Sequence, residues 1–168
     1  MVDKDGRARL ADFGLLTIAS DPTVFTASSS IATHGTTRWM SPELIDPEYF
    51  GLDDSRPTKE SDCYALGMVI YEVLSGRAPF VTLSHMVVAR EVVKGKRPTK
   101  PEGAEGELFA DDLWEILCMS WATEPAARPN IKFLFDHLER VSGSWKPPRV
   151  NAGAKEGDGE WDLSILLV

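Results

Sequence analysis

The segment Thr58–Gly76, TKESDCYALGMVIYEVLSG, limits the fold more than any other part of the chain. Thr58 is placed to cap a helix, Ser75 and Gly76 to end it, and Pro79 follows. Between those ends Ala65, Leu66, Met68, Val69, Ile70, Val73 and Leu74 surround nearly the whole helical circumference. A helix that is apolar on most faces belongs in the centre of a protein.

The remaining pattern is also mostly helical. SPELI reads as a single helical turn, with Ser41 as cap and Pro42 at its first position. SHMVVAREVVKG is an amphipathic helix ending at Gly95, and DDLWEILCMSWA is a helix whose first turn is acidic, matching its dipole. NIKFLFDHLERV is the last helix, capped by Asn130. KRPTKPEGAEG reads as a loop. Near the start, Val2 and Arg7 to Ala11 read as two short strands joined by a turn at Asp5-Gly6. Thr17 to Thr37 is rich in Ser and Thr and poor in apolar anchors, as a mobile loop would be. From Ser142 the chain turns polar and rich in Gly and Pro, so 142–168 is expected to be a flexible tail. It closes on a short apolar stretch, WDLSILLV, suited to docking on a surface or partner. The expected fold is mainly α with a short N-terminal β-hairpin.

A chain of 168 residues suits one domain or one lobe of a larger domain. The net charge of −8 argues against nonspecific binding to nucleic acid or to anionic membranes. Cys63 and Cys118 are too few for a disulfide framework, and both fall in apolar helical stretches as core thiols. No apolar run approaches the roughly 20 residues that span a bilayer, and MVDKDGRARL is no signal peptide. An intracellular, cytoplasmic location is the default expectation.

Asp12-Phe13-Gly14 closes an apolar run, and such a triplet by itself is a weak signal. Order and spacing strengthen it. After a loop of about thirty residues come GTTRWMSPEL, SDCYALGMVIYEVLSGRAPF, VVKGKRPTKP and CMSWATEPAARPNI. Together these resemble the C-terminal lobe of the eukaryotic protein kinase family over residues 1–141, from the D-F-G segment onward. The resemblance implies magnesium and ATP in a complete kinase. Asp12 would bind the magnesium that bridges the nucleotide phosphates, Phe13 would pack under the regulatory helix, and Gly14 would allow that segment to flip. Gly35 and Thr36 match the substrate-docking loop, where the Thr36 hydroxyl would hydrogen-bond the catalytic aspartate. Glu43 of Ser-Pro-Glu, which stands where Ala-Pro-Glu is usual, would pair with Arg128. Asp62 would brace the catalytic loop, Gly67 would permit close packing, and Tyr64 stands where many kinases have Trp. Even within the family, Glu43, Arg128, Asp62 and Gly67 are structural.

Gly-Thr ahead of RWMSPE favours Ser/Thr specificity, while RWMSPE and MSWATEPAARP look like the tyrosine-kinase end of the family. That mixture is typical of the tyrosine-kinase-like group, which acts mostly on Ser and Thr. Thr23, Thr26, Ser28, Ser29, Ser30 and Thr33 offer hydroxyls for regulatory phosphorylation, which adds about −1.5 to −2 charge. Trp114, Trp121 and Phe133 read as core, Lys94 to Lys100 as a solvated loop, and His34, His85 and His137 as surface or packing residues.

The family's glycine-rich loop, phosphate-gripping lysine and H-R-D-x-x-x-x-N loop precede D-F-G, and none stands in these residues. The chain is expected to start in mid-domain and to be inactive alone. The central helix, stripped of its upstream neighbours, would show an apolar face to a partner. The expectation is therefore a fragment of a Ser/Thr kinase acting on a protein substrate. The alternative is a non-catalytic kinase-derived binding module or a relic.

Overall fold

The computed structural model describes residues 36–144. Within them six helices follow one another: α1 Pro42–Ile45, α2 Lys59–Ser75, α3 His85–Val93, α4 Ala104–Glu107, α5 Asp111–Ser120 and α6 Ile131–Ser144. Short 3-10 turns at Glu48–Phe50 and Pro125–Ala127 complete the set. The mainly helical architecture agrees with the fold that the resemblance implies. The N-terminal hairpin, the loop hydroxyls from Thr17 to Thr33, Asp12, Phe13, Gly14, His34, Gly35 and the segment 145–168 lie outside the described residues. Among the described residues no helix is long and apolar enough to cross a membrane.

Local chemistry sets the helix ends. The Thr58 hydroxyl accepts from the Ser61 amide at 3.1 Å, and the Thr58 amide donates to the Ser61 hydroxyl at 2.8 Å, a reciprocal box that closes the start of α2. Gly76 ends α2 at φ 64°, a left-handed position that suits glycine. Asn130 caps α6 through a 2.9 Å bond from the Phe133 amide to its side-chain oxygen. At α1 the outcome differs from expectation. Ser41 stands at the cap position, but its hydroxyl makes no capping bond. Its carbonyl serves instead, accepting from Leu44 and Ile45. The segment KRPTKPEGAEG is not all loop, because α4 begins within it at Ala104.

The core forms where α2 packs on α5 and α5 packs on α6, with α1 against α3. Cys63, Tyr64, Met68 and Ile70 of α2 meet Leu113, Ile116 and Leu117 of α5 and Leu134 of α6 in one apolar cluster. A ladder of edge-on and tilted rings runs through Tyr71, Phe109, Trp114 and Trp121, with centroids 5.6–6.0 Å apart. Gly67 makes the α2–α5 approach: a Cβ there would lie 2.5 Å from the Trp121 indole nitrogen and 3.1 Å from the Ser120 Cβ.

Several residues sit elsewhere than the pattern suggested. Val69 and Val73 are exposed, at 39% and 55%. With Asp62 and Leu66 they occupy i, i+4, i+7 and i+11, a stripe that 100° per residue centres roughly 130° around the helix from Gly67. α2 is thus central on the α5 side and open on the other among the described residues. Phe133 is not core but 40% exposed, because Leu134, Leu138 and Val141 share the inward face of α6. Its ring lies against His137, 4.2 Å between centroids. Cys118 is also exposed, since Leu113, Ile116, Leu117 and Ser120 form the buried face of α5. Cys63 is buried, His85 is exposed and Trp114 is half-buried.

Replacing Gly67 by Ala is expected to cost about 1–3 kcal/mol, because neither the buried Trp121 indole nor the Ser120 Cβ can yield freely. Val73→Ser should stay within about 0.5 kcal/mol. Urea unfolding of the two variants checks this, and an unchanged midpoint for Gly67→Ala would show that the helices are not held at this spacing.

Candidate functional site

Residues 36–43, TTRWMSPE, run in from the edge of the described region and carry Thr36. Thr36 is exposed while Thr37 beside it is buried, and the Trp39 amide closes a turn on the Thr36 carbonyl at 3.0 Å. Three side chains then fasten the segment to the helical base.

Arg38 is the first. Its guanidinium donates to the carbonyls of Pro79 at 2.9 Å, Leu83 at 2.7 Å and Phe80, three acceptors on the loop after α2. Phe80 holds φ 54°, an uncommon conformation for a bulky residue. Trp39 is the second fastening: its indole N–H donates to the Glu72 carboxylate on α2 at 2.9 Å.

Glu43 is the third. Its two oxygens each accept a 2.7 Å bond from Arg128, in the paired fork that suits guanidinium and carboxylate. The Arg128 side chain is fully buried and that of Glu43 is 3% exposed. The remaining Arg128 donors reach the carbonyls of Glu60 at 3.0 Å, Ala122 at 2.9 Å and Thr123 at 3.4 Å. One guanidinium thereby joins α1, the start of α2 and the turn after α5. Burial alone pushes the Glu43 carboxyl up. The Arg128 hydrogen bonds and charge outweigh it, so the group rests below the ordinary glutamate value.

Tyr64 lies beneath this pair with its ring between two cations, 5.3 Å from the Arg97 guanidinium carbon and 5.1 Å from that of Arg128. Burial pushes its hydroxyl up to about 12, against the pull of both arginines. Arg97 corrects the expectation of a solvated Lys94–Lys100 loop. It is half-buried and donates to the carbonyls of Trp121 at 2.7 Å, Val92 at 2.9 Å and Lys96 at 2.8 Å. It binds the end of α3 to the end of α5. Asp62 stands exposed on α2, and partial desolvation raises its carboxyl.

Glu43 and Arg128 are therefore in direct contact, and Gly67 sits against Trp121. Thr36 and Asp62 are both exposed. Sequence reasoning missed Arg38, Arg97 and the Trp39–Glu72 bond. An arginine between a threonine and a tryptophan, or between a lysine and a proline, looks the same whether it meets water or backbone carbonyls. Among the described residues no group of three or more His, Cys, Asp or Glu is placed to hold a metal ion. Asp12, the ligand implied by resemblance, lies outside them.

Breaking the buried pair is expected to cost about 3–5 kcal/mol in Arg128→Met, because the Glu43 charge is stranded. The double variant Glu43→Leu/Arg128→Met should recover much of that loss. The depressed Glu43 carboxyl contributes stability that is fully present above its unfolded-state value, about 4.3. That contribution fades as pH falls through the lower folded-state value. Denaturant titrations between neutral and acid pH should show a shallower acid-side loss in Glu43→Gln than in the parent. Equal slopes would remove Glu43 from the acid response.

The sequence profile described as "Protein tyrosine and serine/threonine kinase" matches residues 1–138. Serine/threonine-protein kinase STY46 of Arabidopsis thaliana is 27% identical over 84% of this chain and 22% of its own length. STY17 of the same plant is 30% identical over 84% of this chain and 22% of its own. Receptor-interacting serine/threonine-protein kinase 3 of Rattus norvegicus is 30% identical over 79% of this chain and 27% of its own. The chain spans about a fifth to a quarter of the length of these relatives. With the family's profile matching more than half of its residues, the chain belongs to the protein tyrosine and serine/threonine kinase family.

Proposed function

We propose that residues 1–141 are the C-lobe part of a kinase domain that transfers a phosphoryl group from ATP to Ser or Thr hydroxyls of a protein. The observation that carries this reading is the fastening of residues 36–43. Phosphoryl transfer depends on positioning and electrostatic stabilisation. A segment tied down by Arg38, Trp39 and Glu43, with Thr36 left exposed, is a rigid support for an incoming peptide. Thr36 would orient the catalytic aspartate of a complete domain, and Asp62 would brace the loop that carries it. Asp12 would hold magnesium, with Phe13 and Gly14 setting its position. ATP with magnesium supplies the phosphoryl group and neutralises its charge when bound. The phosphosite candidates Thr23 to Thr33 would then act as regulatory hydroxyls of the preceding loop.

These 168 residues contain no glycine-rich loop, phosphate-gripping lysine or H-R-D-x-x-x-x-N loop, so on their own they would not orient ATP. A second reading, a non-catalytic binding module, draws support from the open Val69 and Val73 face of α2, which a partner would cover.

Radiolabelled phosphate transfer separates the two readings. The purified chain should give no transfer above background. The same residues, placed in a polypeptide that supplies the missing kinase elements, should transfer phosphate to Ser and Thr of a protein substrate, and Asp12→Asn should abolish it. Activity in the chain alone would refute the inactivity. Failure of the completed domain, with its fold intact, would favour the binding module.

A further inference from the structure

We infer that the acidic, apolar segment Glu156–Val168 of this chain docks in the groove between the loop after α2 and the Lys96–Pro101 loop. The groove has a volume of about 310 Å³, the lower end for a ligand site. Tyr71, Phe80, Leu83 and Pro98 give it apolar walls, and the exposed cations Arg77 and Lys96 stand on its rim. None of the described residues that line it is a carboxylate, although acidic residues outnumber basic ones 26 to 18 in the chain. Its described lining is apolar, with Arg77, Lys96 and Arg97 as its charged residues.

Glu156–Val168 has the complementary character. Glu156, Asp158, Glu160 and Asp162 carry four negative charges with no Lys or Arg among them, and Trp161, Leu163, Ile165 and Leu166 supply apolar side chains. Residues 145–155 separate it from the end of α6 at Ser144. Extended, those eleven residues reach roughly 36–40 Å. A fold of this size has a radius of gyration of about 13 Å, so a groove on any face falls within that reach. A short tether raises the local concentration to the millimolar range, so even a weak contact is populated. The groove also backs onto the loop whose Pro79, Phe80 and Leu83 carbonyls hold Arg38. Occupancy would therefore steady the segment that carries Thr36. The docking goes beyond the kinase reading, since it holds whether or not phosphate is transferred.

Amide hydrogen exchange on the full chain tests it. Neutralising the tail (Glu156→Gln, Asp158→Asn, Glu160→Gln, Asp162→Asn) should speed exchange several-fold in 77–83 and 96–101, leaving α5 unchanged. Arg77→Glu with Lys96→Glu should give the same increase. Combining that pair with lysine at all four tail acids should restore protection, a result that a folding defect in either variant would not produce. Unchanged exchange in the neutralised tail, or no restoration in the charge-swapped chain, overturns the proposal. Carbodiimide cross-linking in a mixture of isotopically heavy and light chains should join Lys96 to the tail within one copy. Cross-links only between copies would overturn docking in cis.

Discussion

The buried ion pair of Glu43 and Arg128 is the joint on which the other parts depend. A carboxylate and a guanidinium are costly to take out of water. Here both are nearly inaccessible, so each must satisfy the other. The fork accounts for two donors, and the carbonyls of Glu60, Ala122 and Thr123 accept the other three. Residues distant in sequence are therefore committed to one arrangement: α1, the start of α2 and the turn that precedes α6. An apolar pair of similar volume would hold the same space, but it would not specify direction as the planar fork does.

Arginine is used the same way elsewhere. Arg38 and Arg97 both direct their guanidinium groups at backbone carbonyls where helices and loops end. These are places where carbonyls lack helical partners. Tyr64 is buried beside Arg97 and Arg128 and gives both cations an aromatic face. The base of the lobe is thus a polar frame around an apolar core. The segment carrying Thr36 hangs from that frame through Arg38, Trp39 and Glu43. Its rigidity is a property of the helices beneath it, which links the packing of α2 on α5 to any role in holding a peptide.

The open face of α2 fits a lobe that shares its central helix with other parts of a larger domain. Val69 and Val73 lie on the side turned away from Trp121, while Gly67 lets α5 approach on the other. A helix apolar all round can serve two sets of neighbours at once. Among residues 36–144 only one set is present.

Much of this was legible in the chain itself. Thr58, Ser61 and Gly76 bound α2 by local hydrogen bonding and backbone preference, and Asn130 starts α6 in the same way. These effects act within a few residues, so order along the chain reveals them. The pairing of Glu43 with Arg128 was legible only through resemblance to a family, because nothing local joins residues so far apart. Which helix face turns inward is a different matter. Phe133 and Cys118 are as apolar as their buried neighbours, and only the direction from which α5 and α6 meet left them outside. The same holds for Arg97, whose partners come from the ends of α3 and α5. The sequence by itself determined where α2 starts and stops and where α6 starts, because those ends rest on local hydrogen bonds and backbone preference. Tertiary structure decided which side chains leave water, because burial depends on what arrives from elsewhere in the chain.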